Sequence, residues 1–225
     1  MNSFANELFI TSEAELSLSI RDKITTIEKM VENKQIPECY PNEMINNWSI
    51  DCFKRRDKFV EIVGFPLLSL NWIKPLAKWI KNRKCLEIMA GTGALTFALK
   101  QQSIDIFATD NFSWDGMNNW NHNQNYWTDI ENIDCVEAIE KYGRDIDIIV
   151  CSWAYMDDTL YRALLKMREI NPDCLLIYIG EGMGGCTADD DFFNTIQEID
   201  DDNFNKAIIN YQKWRGLHDE IRLGK

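Results

Sequence analysis

The stretch that most limits what this chain can fold into is Cys85-Leu86-Glu87-Ile88-Met89-Ala90-Gly91-Thr92-Gly93-Ala94-Leu95-Thr96. A short apolar run, Cys85 to Met89, stops at Gly91-Thr92-Gly93, and a helical pattern then runs from Ala94 to Gln101. Glycines between a strand and a helix let backbone amides come close to a ligand at the start of the helix. G-x-G alone is a weak motif, and its surroundings sharpen it. The next apolar run, Ile104 to Thr109, ends at Asp110, where an acidic side chain can accept from both hydroxyls of a ribose. Together the two units favour an adenosine-containing ligand.

The alternation continues. Ile146 to Cys151 and Cys174 to Ile179 are further short apolar runs, and 70–82, 134–142 and 157–170 have helical spacing. Strands alternating with helices indicate a doubly wound α/β domain, its parallel sheet covered on both faces. Asn205 to Tyr211 and His218 to Leu223 are β-capable segments joined through Trp214-Arg215-Gly216, too short a link for a helical crossover, so an antiparallel pair at the sheet edge is expected. Ahead of the domain, Ser12 and Glu15 make an S-x-x-E capping box before an amphipathic helix over 13–33, and a second helical stretch, 43–60, follows Pro41. Gly64-Phe65-Pro66 then reads as a turn, which divides an N-terminal helical appendage, 1–64, from the domain at 65–225.

Charge narrows the partners. Twenty-four basic against thirty-six acidic side chains give a net charge of -12, which repels nucleic acid and anionic membranes at long range. The dense basic cluster Lys54, Arg55, Arg56, Lys58 is expected to be a solvated helix face. Seven cysteines (39, 52, 85, 135, 151, 174, 186) show no C-x-x-C spacing, and 85, 151 and 174 lie in or beside apolar runs as core residues would. A reducing cytoplasm is the expected home, since the first residues lack a basic-then-apolar leader and no stretch approaches the ~20 apolar residues of a membrane span. Two histidines, His122 in the Asn- and Trp-rich loop 111–127 and His218 in the tail, are too few for a zinc site, so no metal is expected. Loops of that length are usually functional or disordered. The acidic runs Asp189 to Asp191 and Asp200 to Asp202 are expected to be solvated helix starts, and no G-x-S-x-G or G-x-x-x-x-G-K-S/T occurs.

Glu87 bears on the ligand's identity. A carboxylate inside an apolar strand is costly to desolvate unless it meets a cation or strong donors. A dinucleotide would bring a pyrophosphate to it, whereas S-adenosylmethionine would bring an ammonium. The plainer alternative is that Glu87 caps a neighbouring backbone amide.

L-E-I-M-A-G-T-G-A-L-T followed by I-F-A-T-D resembles the first two motifs of the class I S-adenosylmethionine-dependent methyltransferases, over roughly residues 80–225. The resemblance implies a seven-stranded, mostly parallel sheet ending in the antiparallel C-terminal strand pair, with S-adenosylmethionine as cofactor. Carried over by position, Glu87 lies near the methionine ammonium, Gly91 and Gly93 shape the loop, Asp110 holds the ribose, and Asp134 with the Cys135 amide holds adenine. Met89 stands where the family usually has its first glycine.

Reactive crevices of open α/β sheets lie beyond the carboxyl ends of the strands. Ser152-Trp153-Ala154-Tyr155 is similar in position to the Asn/Asp/Ser-Pro-Pro-aromatic motif of amino-group methyltransferases, without its prolines. Its aromatics could hold a planar or cationic acceptor or pack under the 111–127 loop. Glu181, in the glycine-rich Gly180 to Gly185, would point into the same crevice. The expectation is therefore a methyltransferase acting on a small molecule or an exposed side chain. Ser152, Trp153, Tyr155 and Glu181 stand on the acceptor side, Tyr155 and Glu181 are candidate catalytic groups, and His122 is a weaker choice of base. The N-terminal helices would form a lid. Two other classes stay open: a non-enzymatic module binding S-adenosylmethionine or S-adenosylhomocysteine, and an NAD(P)-dependent oxidoreductase, which would normally want a third glycine where Thr96 stands.

Overall fold

A six-stranded sheet in the order β3-β2-β1-β4-β5-β6 organises the chain, in a computed structural model that describes residues 12–113 and 125–225. Its strands are β1 (Cys85–Ile88), β2 (Ile106–Asp110), β3 (Ile130–Asn132), β4 (Ile148–Ser152), β5 (Leu175–Gly180) and β6 (Glu220–Gly224). All neighbours pair in parallel except β5 and β6. The helices are α1 (Leu18–Glu32), α2 (Asn42–Ile45), α3 (Ile50–Ile62), α4 (Leu70–Ile80), α5 (Ala94–Lys100), α6 (Cys135–Tyr142), α7 (Thr159–Ile170), α8 (Asp190–Thr195) and α9 (Asp202–Ile208).

The sheet divides the interior in two. Ile148 and Ile177 belong to one buried cluster with residues of α1, α3, α4, α5 and α9. On the opposite face Leu86, Ile149 and Leu176 pack with α6, α7 and Phe192 of α8. Every residue of β1 is buried, as expected for a central parallel strand covered on both sides. The first cluster is continuous across Gly64: Leu16, Ile24 and Phe59 share it with Leu68, Trp72 and Ile177. Tyr40 Oη donates to Leu68 O at 2.9 Å, and Gln212 exchanges two bonds with the Tyr40 backbone, at 2.9 and 2.8 Å.

Several expectations are corrected. The sheet has six strands, not seven, because Asn205 to Tyr211 does not form a strand: α9 covers 202–208. Asp201 starts that helix by accepting from the Asn203 and Phe204 amides, both at 2.8 Å, and Phe204 packs edge-on against Trp79 at 4.9 Å. An N-cap plus an aromatic anchor outweighs weak β propensity. The antiparallel pair is therefore β5 with β6. The short edge strand β3 was not expected.

Ser12 and Glu15 flank only a single 3-10 turn, with Glu15 N donating to Ser12 O at 3.1 Å, and the N-cap of α1 is Ser17. The 43–60 stretch is two helices, because Asn47 Oδ1 takes both the amide and the hydroxyl of Ser49, at 2.9 and 2.6 Å, and Ser49 then caps α3. Arg55 is not on a solvated face. It is 7% exposed and its guanidinium reaches Glu13 Oε2 and Glu28 Oε1, both at 2.7 Å, while Lys54 and Lys58 are exposed.

Asp189 caps α8 through the Phe192 amide, so both acidic runs do begin helices. All seven cysteines are unpaired, and 85, 151 and 174 are buried. Among the described residues no helix is long and apolar enough to cross a membrane.

Candidate functional site: a cavity at the carboxyl ends of the strands

β1 leaves the sheet at Met89, which is held at φ +53°, and the turn continues through Gly91 at +56° and Gly93 at +71°. Met89 thus adopts a conformation glycine takes at least cost. At Gly93 a Cβ would lie 2.9 Å from Thr128 Cγ2 and 3.1 Å from Ile130 Cδ1, so the turn is packed tightly onto the segment entering β3. At Gly91 a Cβ would meet nothing within 4 Å. The turn is therefore fixed on one side and open on the other.

The open side faces a cavity of about 530 Å³, within the usual range for small-molecule sites. Glu87, 1% exposed, is among its walls. Thr96 gives Glu87 Oε2 both its amide, at 3.0 Å, and its hydroxyl, whereas Oε1 takes no partner among the described residues. Burial, with Asp110 nearby, raises the Glu87 pKa from 4.5 to about 7 against the opposing pull of the Thr96 bonds. Glu87 therefore caps a neighbouring amide with one oxygen and presents the other.

Asp110, 3% exposed and at the end of β2, receives the Gly91 amide on Oδ2 at 2.7 Å and the Phe112 amide on Oδ1 at 2.6 Å. Cys135 lines the cavity and its thiol is pushed up to about 12 by burial, which makes it unreactive. Asp134 does not line the cavity. It caps α6, with Oδ1 accepting from Val136 N at 2.9 Å and Oδ2 from Asn111 Nδ2 at 3.4 Å.

On the other side, β4 ends at Ser152, whose Oγ is buried and has no partner among the described residues. Trp153 follows at φ +55°, its amide donating to Ile179 O at 2.7 Å. The indole stacks on Phe65, with centroids 4.1 Å apart and planes 15° from parallel. Tyr155 is exposed, and partial desolvation with Asp110 and Asp157 nearby raises its pKa. After β5, Glu181 accepts from the His218 and Cys186 amides, at 3.0 and 2.9 Å. Burial pushes the Glu181 pKa up, but these amides outweigh it and hold the carboxyl below its ordinary value.

The structure thus brings Glu87, Gly91, Asp110, Cys135, Ser152, Trp153, Tyr155 and Glu181 to one cavity. Gly93 shapes the turn from behind, and His122 lies outside the described residues. Sequence reasoning missed Glu61, Phe65, Pro66 and Leu217, which also line it. Gly64-Phe65-Pro66 reads from sequence as a separator, and the signal that it does more is its aromatic residue, which needs a packing partner. Among the described residues no three His, Cys, Asp or Glu side chains are grouped to hold a metal.

No protein-family model matches the chain, and no curated protein sequence matches it. It is similar in structure to S-adenosylmethionine-dependent methyltransferases. A TehB-like protein of this class from Corynebacterium glutamicum is 15% identical, over 77% of this chain and 95% of that one, with a TM-score of 0.46. TehB from Haemophilus influenzae is 13% identical, over 76% and 66%, with a TM-score of 0.43. A methyltransferase from Agrobacterium tumefaciens is 15% identical, over 51% and 44%, with a TM-score of 0.34. The chain thus spans less than half the length of the last and just under two thirds of the second.

Proposed function

We propose that the chain is an S-adenosylmethionine-dependent methyltransferase acting on a small molecule. The observation that carries this reading is Glu87, a fully buried carboxylate with one oxygen unpaired toward the cavity and no cation beside it. Such a group calls for a positively charged ligand. The donor set fits this cofactor: Glu87 Oε1 for the ammonium, the open face of Gly91 for the methionine chain, and the Asp110 carboxylate at the end of β2 for ribose hydroxyls. The Cys135 amide is assigned to adenine, while Asp134, outside the cavity lining, is assigned to holding the start of α6 beside it. A dinucleotide would place its pyrophosphate against Glu87 and Asp110, with no Lys, Arg or His among the described lining residues to offset it, so the oxidoreductase reading is not favoured.

When bound, S-adenosylmethionine supplies a methyl group already activated by the sulfonium. What remains for the chain is to position the acceptor and exclude water. Val60, Glu61, Val63 and Gly64 line the cavity from the N-terminal helical region and support the reading of that region as a lid. Tyr155, its pKa raised, stays a phenol at neutral pH and suits hydrogen-bond donation. Glu181 stays ionised and suits orientation more than proton abstraction. His122 remains a candidate base. The unpaired cysteines favour a reducing compartment such as the cytoplasm.

Calorimetry with S-adenosylhomocysteine tests the reading. Micromolar or tighter binding is expected, weakened at least about tenfold in Asp110→Ala, since a hydrogen bond to a charged group is worth ~1.5–3 kcal/mol. Binding of NADH in its place would overturn it. Tight binding without methylation of any acceptor in metabolite extracts would favour the non-enzymatic module.

A further inference from the structure

We propose that the acceptor is an organic cation, an aryl- or alkylammonium, and that Glu181 and the Trp153–Phe65 stack form its binding site. This rests on the methyltransferase reading for the word acceptor, but not for the charge preference itself. Five carboxylates, Glu61, Glu87, Asp110, Asp157 and Glu181, line the cavity, and no Lys, Arg or His does so among the described residues. Two of them, Glu87 and Asp110, are assigned to the cofactor.

Of the other three, Glu61 and Asp157 are exposed and Glu181 is buried, so Glu181 is least screened by water. It is also the most firmly placed. Each oxygen takes one backbone amide, and a Cβ on Gly185 would fall 2.9 Å from Oε2, so the glycine-rich loop is wrapped closely around the carboxylate. The amides keep it ionised, yet no Lys or Arg among the described residues pairs with it. With backbone amides as its hydrogen-bond partners and the His218 side chain as its charged neighbour outside the cavity lining, this buried anion attracts a cationic ligand and repels an anionic one.

Trp153 stands beside it, because its amide is bonded to Ile179, two positions before Glu181 on β5. The indole is only half-buried, and with Phe65 behind it offers an aromatic surface to the cavity. An aromatic face next to a fixed carboxylate is a recurrent arrangement for ammonium groups. Two further observations indicate that a ligand belongs in this space: the unpartnered Ser152 Oγ at the end of β4 and the unpaired Glu87 Oε1. Phosphorylated and carboxylate acceptors would meet this negative lining without a compensating cation among the described residues.

The test compares probes with the same frame and opposite charge in protein saturated with S-adenosylhomocysteine: phenethylamine against 3-phenylpropionate, and tryptamine against indole-3-propionate. By calorimetry each amine should bind at least about tenfold tighter than its carboxylate partner, with the gap shrinking as salt rises. Glu181→Gln should close most of the gap, and Glu61→Gln should leave most of it. Equal affinities, tighter binding of the carboxylates, or binding of neither probe would overturn the proposal while leaving cofactor binding intact. If S-adenosylhomocysteine does not bind but the amine preference survives and depends on Glu181, the methyltransferase reading falls and the cation site stands. Should Glu181→Gln fail to fold, the wild-type comparison and its salt dependence decide.

Discussion

Replacing Glu87 by Gln should stabilise the ligand-free protein above neutral pH and remove its affinity for the cofactor. Glu87 is 1% exposed, and only Thr96 donates to it. Burial, helped by Asp110, raises its pKa from 4.5 to about 7. At about 1.36 kcal/mol per pKa unit, that rise corresponds to on the order of 3 kcal/mol. A raised folded pKa means the folded state holds the proton more tightly than the unfolded one. The resulting stability is fully present below about pH 4.5 and is lost as the pH climbs through about 7. A Gln carbonyl still accepts from Thr96, and its amide group is never charged.

Variant and wild type should therefore melt alike near pH 4.5, diverge progressively as the pH rises to about 7, and stay apart above it. By about pH 8.5 the variant should be more stable by up to roughly 3 kcal/mol, or about 6–12 °C in melting temperature for a chain of this size. Thermal melts at the two pH values, followed by calorimetry with S-adenosylhomocysteine, provide the assay. In the wild type, affinity should strengthen as pH rises from about 6 to 8, because the ligand ammonium pairs with the ionised form. Equal melting temperatures at the higher pH, or retained affinity in the variant, would refute the assignment of Glu87 as a buried, unpaired acid awaiting a cation.

Gly93→Ala should cost about 1–3 kcal/mol in denaturant unfolding, since φ +71° is unfavourable for any side chain and the new Cβ would lie 2.9 Å from Thr128; an unchanged midpoint would contradict the packing at this turn. Arg55→Ala strands Glu13 and Glu28 and should lower stability by about 2–3 kcal/mol. Removing the exposed Lys58, paired with Glu32, should cost under about 0.5 kcal/mol. Tyr155→Ala should leave affinity for S-adenosylhomocysteine within about threefold while lowering turnover, and a collapse of affinity would place Tyr155 on the cofactor side.

What was legible in the sequence was whatever local pattern decides. β1 is buried on both faces, so its residues read as an unbroken apolar run interrupted by one acid, and both the strand and the anomaly at Glu87 were visible together. Positive-φ glycines marked the turn for the same reason. What was not legible depended on distant partners or on competing local bonds. The sequence 205–211 has β-capable residues, but the Asp201 cap and Trp79, far away in the chain, make it helical. The edge strand Ile130–Asn132 is too short and polar to register as a pattern. Arg55 looks like its basic neighbours until Glu13 and Glu28 are brought over it. Phe65 becomes a wall of the cavity only because it lies on Trp153.

The end of α3 is fastened to the glycine turn in a way that bears on how the cavity opens. Trp127 Nε1 donates to Ile62 O at 2.7 Å, Thr92 Oγ1 to Val63 O at 2.7 Å, and Trp127 N to Thr92 O at 2.9 Å. The final carbonyls of the helix are thus satisfied by the very segment that shapes the cofactor side of the site, and not by water. Lifting the helix end would break the bonds to Ile62 O and Val63 O together and leave buried acceptors bare. In hydrogen exchange the Trp127 indole N–H and the Gly64 amide, which donates to Val60 O in the last turn of the helix, should therefore exchange together at a common slow rate although neither lies in the sheet.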